Sequence, residues 1–234
     1  MEQFEQEKRI LEFEAYMESK LTSIEELSSE DNEVLFKKII YFSFLESLAK
    51  AAYPKDSVKQ RFIKFLSEFS KWQEGNCYCP IHIQKQNLVS SDILDACSLS
   101  IQGIYNEGNR NYATIEKFAL NNSNFSQNQD QCKFSYLLYH SRNALVHQFQ
   151  SSNEWTESIE RRGVNSPFYE VIERGEEIFL NPTNYHMEII FPNVFLKKLA
   201  KDGLSNFIKY CRKEGINPFL RYYSERKIYE KEII

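Results

Sequence analysis

Arg142, Asn143 and His147 stand close together in the run RNALVH, and each type brings a different capacity to a charged substrate. Histidine moves protons near neutral pH because its ordinary pKa lies there. Arginine stays charged, and its planar fork can take two oxygens of one phosphate. Asn143 precedes His147 by one helical turn, where its amide could orient the imidazole or a bound phosphate. The chemistry this set suits is proton transfer beside a phosphate: His147 as the proton-transfer residue, Arg142 as the clamp.

The element that must position them is the stretch Phe134 to Phe149, FSYLLYHSRNALVHQF. Its spacing predicts a helix with Phe134, Leu137, Leu138, Ser141, Ala144, Leu145, Gln148 and Phe149 on one broad apolar side. The opposite side carries Tyr136, Tyr139, His140, Asn143, Val146 and His147, with Arg142 at its border. That side lacks the Lys and Glu of an ordinary solvated face, so a second surface is expected to meet it. Arg142 and His147 diverge by about 140° around an ideal helix. Only Arg142's long side chain or a distorted last turn joins them within one copy, whereas two such helices crossing in a homodimer join them readily.

Arg, a polar residue, three further positions and His near the end of an amphipathic helix resembles the signature of the HEPN domain family, here Arg142, Asn143 and His147. The resemblance implies a helical bundle. It also implies a metal-independent endoribonuclease, without cofactor, of the kind found in toxins and in defence against phage. In that chemistry the RNA 2′-hydroxyl attacks the adjacent phosphate, with motifs of two protomers facing one cleft. Tyr136, Tyr139 and His140 are then the candidates for lining the RNA or dimer cleft, His140 as an RNA contact or as interface filling. In toxins of this type paired with a nucleotidyltransferase antitoxin, a modified Tyr commonly follows the His by two positions. Phe149 stands there and has no hydroxyl, so an antitoxin or regulatory protein would have to act by another route. The alternative is a catalytically silent module of the same fold that dimerises or binds a partner.

With 234 residues and 15% aromatic content the chain is long enough to bury a sizeable core. The absence of a long uncharged apolar run argues against a membrane partner, and the acidic start MEQFEQEKRI does not read as a secretory leader, so a cytoplasmic location is expected. Five cysteines, Cys77, Cys79, Cys97, Cys132 and Cys211, are odd in number and scattered, which fits reduced thiols better than a disulfide framework. Cys77, Cys79 and His82 could offer three metal ligands, but no fourth is placed, and a loop with buried thiols is the preferred reading, with no metal assigned. The net charge of −4 excludes a uniformly basic nucleic-acid binder. Residues 1–33 carry 11 acidic and 3 basic side chains, so the remainder is net positive and any RNA cleft must be local.

The expected fold is mainly α, with a HEPN-like helical bundle over 1–150 and an extension over 151–234 comprising a small antiparallel β meander and a closing helix. Ile10, Phe13, Met17, Leu21 and Ile24 share one face of a first helix from Glu2 to Lys20 or Ile24. A second helix, capped at Asp31 and running to Ala52, is apolar nearly all round from Ile39 to Leu45 and should be the most buried. A third, capped by Asp56 or Ser57, presents Val58, Phe62, Phe65, Phe69 and Trp72. Its Lys59, Arg61, Lys64 and Lys71 are read as a solvated face rather than an RNA-lining one. Residues 75–91 read as a loop with a short extended piece. Short helices follow at 91–104 and 112–120, and the polar stretch 121–130 is a loop. Three strands are expected at 168–172, 177–180 and 185–191, then a helix from Asn193 to Lys213 in which Gly203 marks a close approach, ended by Gly215.

Overall fold

The computed structural model describes residues 2–28, 33–86, 95, 97–99, 112–114, 130–148, 165–173 and 185–222. In chain order these form α1 (Glu2–Glu26), α2 (Glu33–Ala52), α3 (Val58–Glu68), α4 (Pro80–Gln86), β1 (Tyr112–Thr114), α5 (Phe134–Gln148), β2 (Phe168–Glu173), β3 (Tyr185–Ile190), α6 (Asn193–Glu214) and α7 (Pro218–Tyr222), with single 3-10 turns at Glu74–Asn76 and Asp130–Cys132. The expected class holds: the chain is mainly α with a small antiparallel sheet. Among the described residues no helix is long and apolar enough to cross a membrane. Two compact units emerge, one of residues 1–72, 145–149 and 196–234, the other of 73–144 and 150–195.

In the first unit, the spacing that predicts α1 also predicts its buried side, since Ile10, Phe13, Met17, Leu21 and Ile24 are all buried. Phe13 meets Phe207 and Phe219 edge-on, with ring centroids 6.2 and 5.1 Å away. The acidic remainder of α1 answers basic residues of α6. Arg212 bonds Glu7 at 3.0 Å and Glu14 at 2.8 Å, while Glu25 takes Lys197 at 2.8 Å and Lys201 at 3.0 Å. On α2 the burial lies later than expected. Phe42, Leu45, Leu48 and Ala49 are fully buried, but Ile39 is only half-buried and Phe36 and Ile40 are exposed. An all-round apolar helix is covered only where neighbours exist to cover it. The Asp31 cap falls outside the described residues.

Ser57 caps α3 through a capping box: the Gln60 N–H donates to Ser57 Oγ at 3.4 Å, and the Ser57 N–H donates to Gln60 Oε1 at 3.3 Å. Phe62, Phe65, Leu66, Phe69 and Trp72 are buried, although the helix stops at Glu68 and Lys71 turns the chain at φ 52°. Two of the basic residues of α3 are engaged locally, Arg61 with Glu46 at 3.5 Å and Lys64 with Asp56 at 3.8 Å. In α6, Leu199, Gly203, Phe207 and Cys211 form the buried row. A Cβ at Gly203 would lie 2.6 Å from Phe65 Cε1, so the close approach expected there is real. Gly215, at φ 66°, closes the helix.

The second unit corrects two expectations. Residues 80–86 are helical rather than irregular, because Pro80 at the first helical position has its φ preset and lacks an N–H that would go unused there. Ile81 and Ile83, whose alternation imitates a strand, are both buried. The short extended piece exists just ahead, as a bridge between Tyr78 and Lys133. Residues 112–114 form a strand, not the start of a helix. Their partner lies far along the chain: β1 pairs with β2 antiparallel, Tyr112 opposite Glu170. β2 then pairs with β3, Phe168 opposite Ile190. The sheet order is β1-β2-β3, so one edge comes from ahead of α5 rather than from a local meander. The expected strand at 177–180, residues 115–129 and most of the helix expected at 91–104 lie outside the described residues; Asp95 and 97–99 are helical.

Candidate functional site

The start of α5 is fixed by backbone bonds. The Phe134 N–H donates to Cys77 O at 3.1 Å, the Leu137 N–H to Lys133 O at 3.0 Å, and the Lys133 N–H to Asp130 O at 3.0 Å. Phe134 and Leu138 are fully buried, and the Phe134 ring stands 6.4 Å from that of Tyr169, as the apolar side of the helix requires. α5 is α-helical from Phe134 through Gln148.

Arg142, placed by sequence at the border between the two sides, is on the inner side of that border: it is only 7% exposed. Its Nη1 donates to Asn143 Oδ1 at 2.8 Å, so the asparagine amide orients the guanidinium. This bond leaves the charge intact while fixing part of the fork, which is what an anion clamp needs. Tyr136 and Tyr139 are half-buried and His140 is exposed. The three form one aromatic group. Tyr136 and His140, one turn apart, have centroids 4.6 Å apart at 45°, and Tyr139 lies 6.3 Å from His140 at 72°. The structure therefore gathers Arg142 with Asn143, and Tyr136 and Tyr139 with His140. His147 occupies the last turn of α5, and its side chain falls outside the described residues.

No family model, curated protein or solved structure matches this chain.

The cysteine segment shows what surrounds the other candidate ligands. His82 Nδ1 lies 3.2 Å from Cys79 Sγ, and Tyr169 Oη donates to the same sulfur at 3.4 Å. Burial pushes the Cys79 thiol up to about 12, partly offset by the Tyr169 hydroxyl. Cys77 is half-buried and also raised, by burial and then by the charge of Glu74. Among the described residues no three His, Cys, Asp or Glu side chains are gathered to hold one ion. Sequence reasoning missed Tyr169 as a neighbour of Cys79, ninety positions away with no local signal, and missed the backbone bond from the Cys79 N–H to Cys132 O at 2.8 Å.

Proposed function

We propose that the chain is a HEPN-like, metal-independent endoribonuclease that acts as a homodimer through α5. The observation that carries the reading is the Arg142 guanidinium fixed on Asn143 at 2.8 Å in a helix that also bears His147 in its last turn. In this reading Arg142 stabilises the crowded negative phosphate as the RNA 2′-hydroxyl attacks, and His147 transfers the proton. Tyr136, Tyr139 and His140 line the cleft, where rings of this kind take the faces of unpaired bases. A second copy completes the cleft, since about 140° separates Arg142 from His147 on a regular helix. An antitoxin or regulatory protein would restrain the activity without modifying Phe149.

The low exposure of Arg142 favours a second reading, in which the same fold is a silent dimerisation or partner-binding module and Arg142 is structural. His147→Ala separates the two. Loss of a catalytic acid or base costs about 10²–10⁴-fold in rate. Cleavage lost with the dimer intact in light scattering supports the nuclease; no cleavage by the wild type together with a dimer lost in the variant supports the module.

A further inference from the structure

We propose that Cys79 and Cys132 are an internal dithiol that closes into a disulfide under hydrogen peroxide, tying the start of α4 to the approach to α5. The backbone sets the pair. Tyr78 and Lys133 form an antiparallel bridge, flanked by bonds from the Cys79 N–H to Cys132 O at 2.8 Å and from the Phe134 N–H to Cys77 O at 3.1 Å. Counting one residue along each strand puts Cys79 opposite Cys132. The bond from the Cys79 N–H holds the two backbones side by side where Cys132 closes the 3-10 turn, and the Cys132 thiol is near enough for its charge to be felt at Cys79. Directly opposed residues in such a pair have Cα atoms about 4.5–5.5 Å apart, inside the window of about 4.4–6.8 Å that a disulfide spans. Both thiols are free and fully buried.

The chemistry balances with peroxide as the oxidant. One thiol loses its proton to solvent, and the thiolate attacks the O–O bond; a S–O bond forms, O–O breaks, and the departing hydroxide takes a proton to become water. The second thiolate then attacks the sulfenic sulfur, the S–O bond breaks, and a second water leaves. Two thiols are oxidised by two electrons and one peroxide is reduced to two waters. Burial pushes Cys79 up to about 12 and Cys132 up to about 11, so both stay protonated at neutral pH and the first step is slow in the folded protein. Cys97 is the competitor, since it packs in one buried cluster with Cys132, Tyr78 and Ile83. Among the described residues no backbone hydrogen bond joins it to Cys132.

The test treats the folded full-length chain, carrying Cys77→Ser so that one cysteine remains in tryptic peptide 72–85, with hydrogen peroxide at pH 8, and reads intact mass and linked peptides. The expected result is a loss of 2 Da and a link between peptides 72–85 and 118–133, at least about tenfold more abundant than any other link. Adding Cys132→Ser abolishes it. In denaturant the preference disappears, because the register is gone. A dominant link from Cys132 to the Cys97 peptide 86–110, oxidation to sulfinic acids without a link, or an equal preference in denaturant would each overturn the proposal.

Discussion

Gly203 offers the most direct test of how the first unit is packed. Replacing it with Ala in the middle of α6 gains about 1 kcal/mol of helix propensity. Against that gain, the added Cβ would sit 2.6 Å from Phe65 Cε1 and 2.9 Å from Ser70 Oγ, where ordinary carbon contacts begin near about 3.5 Å. Neither neighbour is free to retreat. Phe65 is fully buried with its ring 5.3 Å from that of Phe69, and the Ser70 hydroxyl donates to Leu199 O at 2.9 Å. Overpacking of this kind costs about 1–3 kcal/mol, so the net expectation is a loss of up to about 2 kcal/mol. In a chain of this size that lowers the melting temperature by up to about 8 °C, measured by circular dichroism. Trimming the ring should relieve the clash, so Phe65→Leu combined with Gly203→Ala should lose less than the two changes separately. A Gly203→Ala protein that melts higher than wild type would refute the close approach.

Other expectations follow from single contacts. Ser57→Ala removes the α3 capping box and should cost about 1 kcal/mol in urea unfolding, whereas Ser57→Asp should keep most of it. Glu25 is held below the ordinary carboxylate range, first by its hydrogen bonds to Lys197 and Lys201. A depressed carboxyl contributes stability above its unfolded pKa of about 4.3 and loses it as pH falls through the folded value. Glu25→Gln should therefore be less stable than wild type at pH 7, by under about 1 kcal/mol for so exposed a group. The difference should close in acid; a difference constant down to pH 3 would exclude the linkage. Cys77 is the half-buried thiol and the other four are buried, with Cys97, Cys132, Cys79 and Cys211 raised to between about 11 and about 12 by burial. A thiol reagent at pH 8 should find one fast cysteine, lost in Cys77→Ser, and all five in denaturant.

What the sequence made legible was local and periodic. The apolar rows of α1 and α6 repeat over several turns, and such a row has few solutions other than a buried helix face. The lone glycine at 203 was readable for the same reason, because an interruption means something only inside a strong pattern. What failed depended on distant partners. Tyr112, Ala113 and Thr114 become a strand because β2, more than fifty residues later, offers an edge, and nothing local says so. At 80–86 the alternating isoleucines outweighed the better signal, Pro80 at a helix start. Arg142 was placed on the border of the wheel, and only packing could decide which side of it the guanidinium takes. The pairing of Cys79 with Cys132 is likewise invisible until the chain between them has closed.

The central claim is tested most directly by incubating a labelled single-stranded RNA with the wild type, Arg142→Ala and His147→Ala in EDTA, and analysing the product ends. The account predicts that the wild type cleaves, that each variant is slower by about 10²-fold or more, and that the products carry a 2′,3′-cyclic phosphate. Absence of cleavage by the wild type, or equal cleavage by all three proteins, would contradict it.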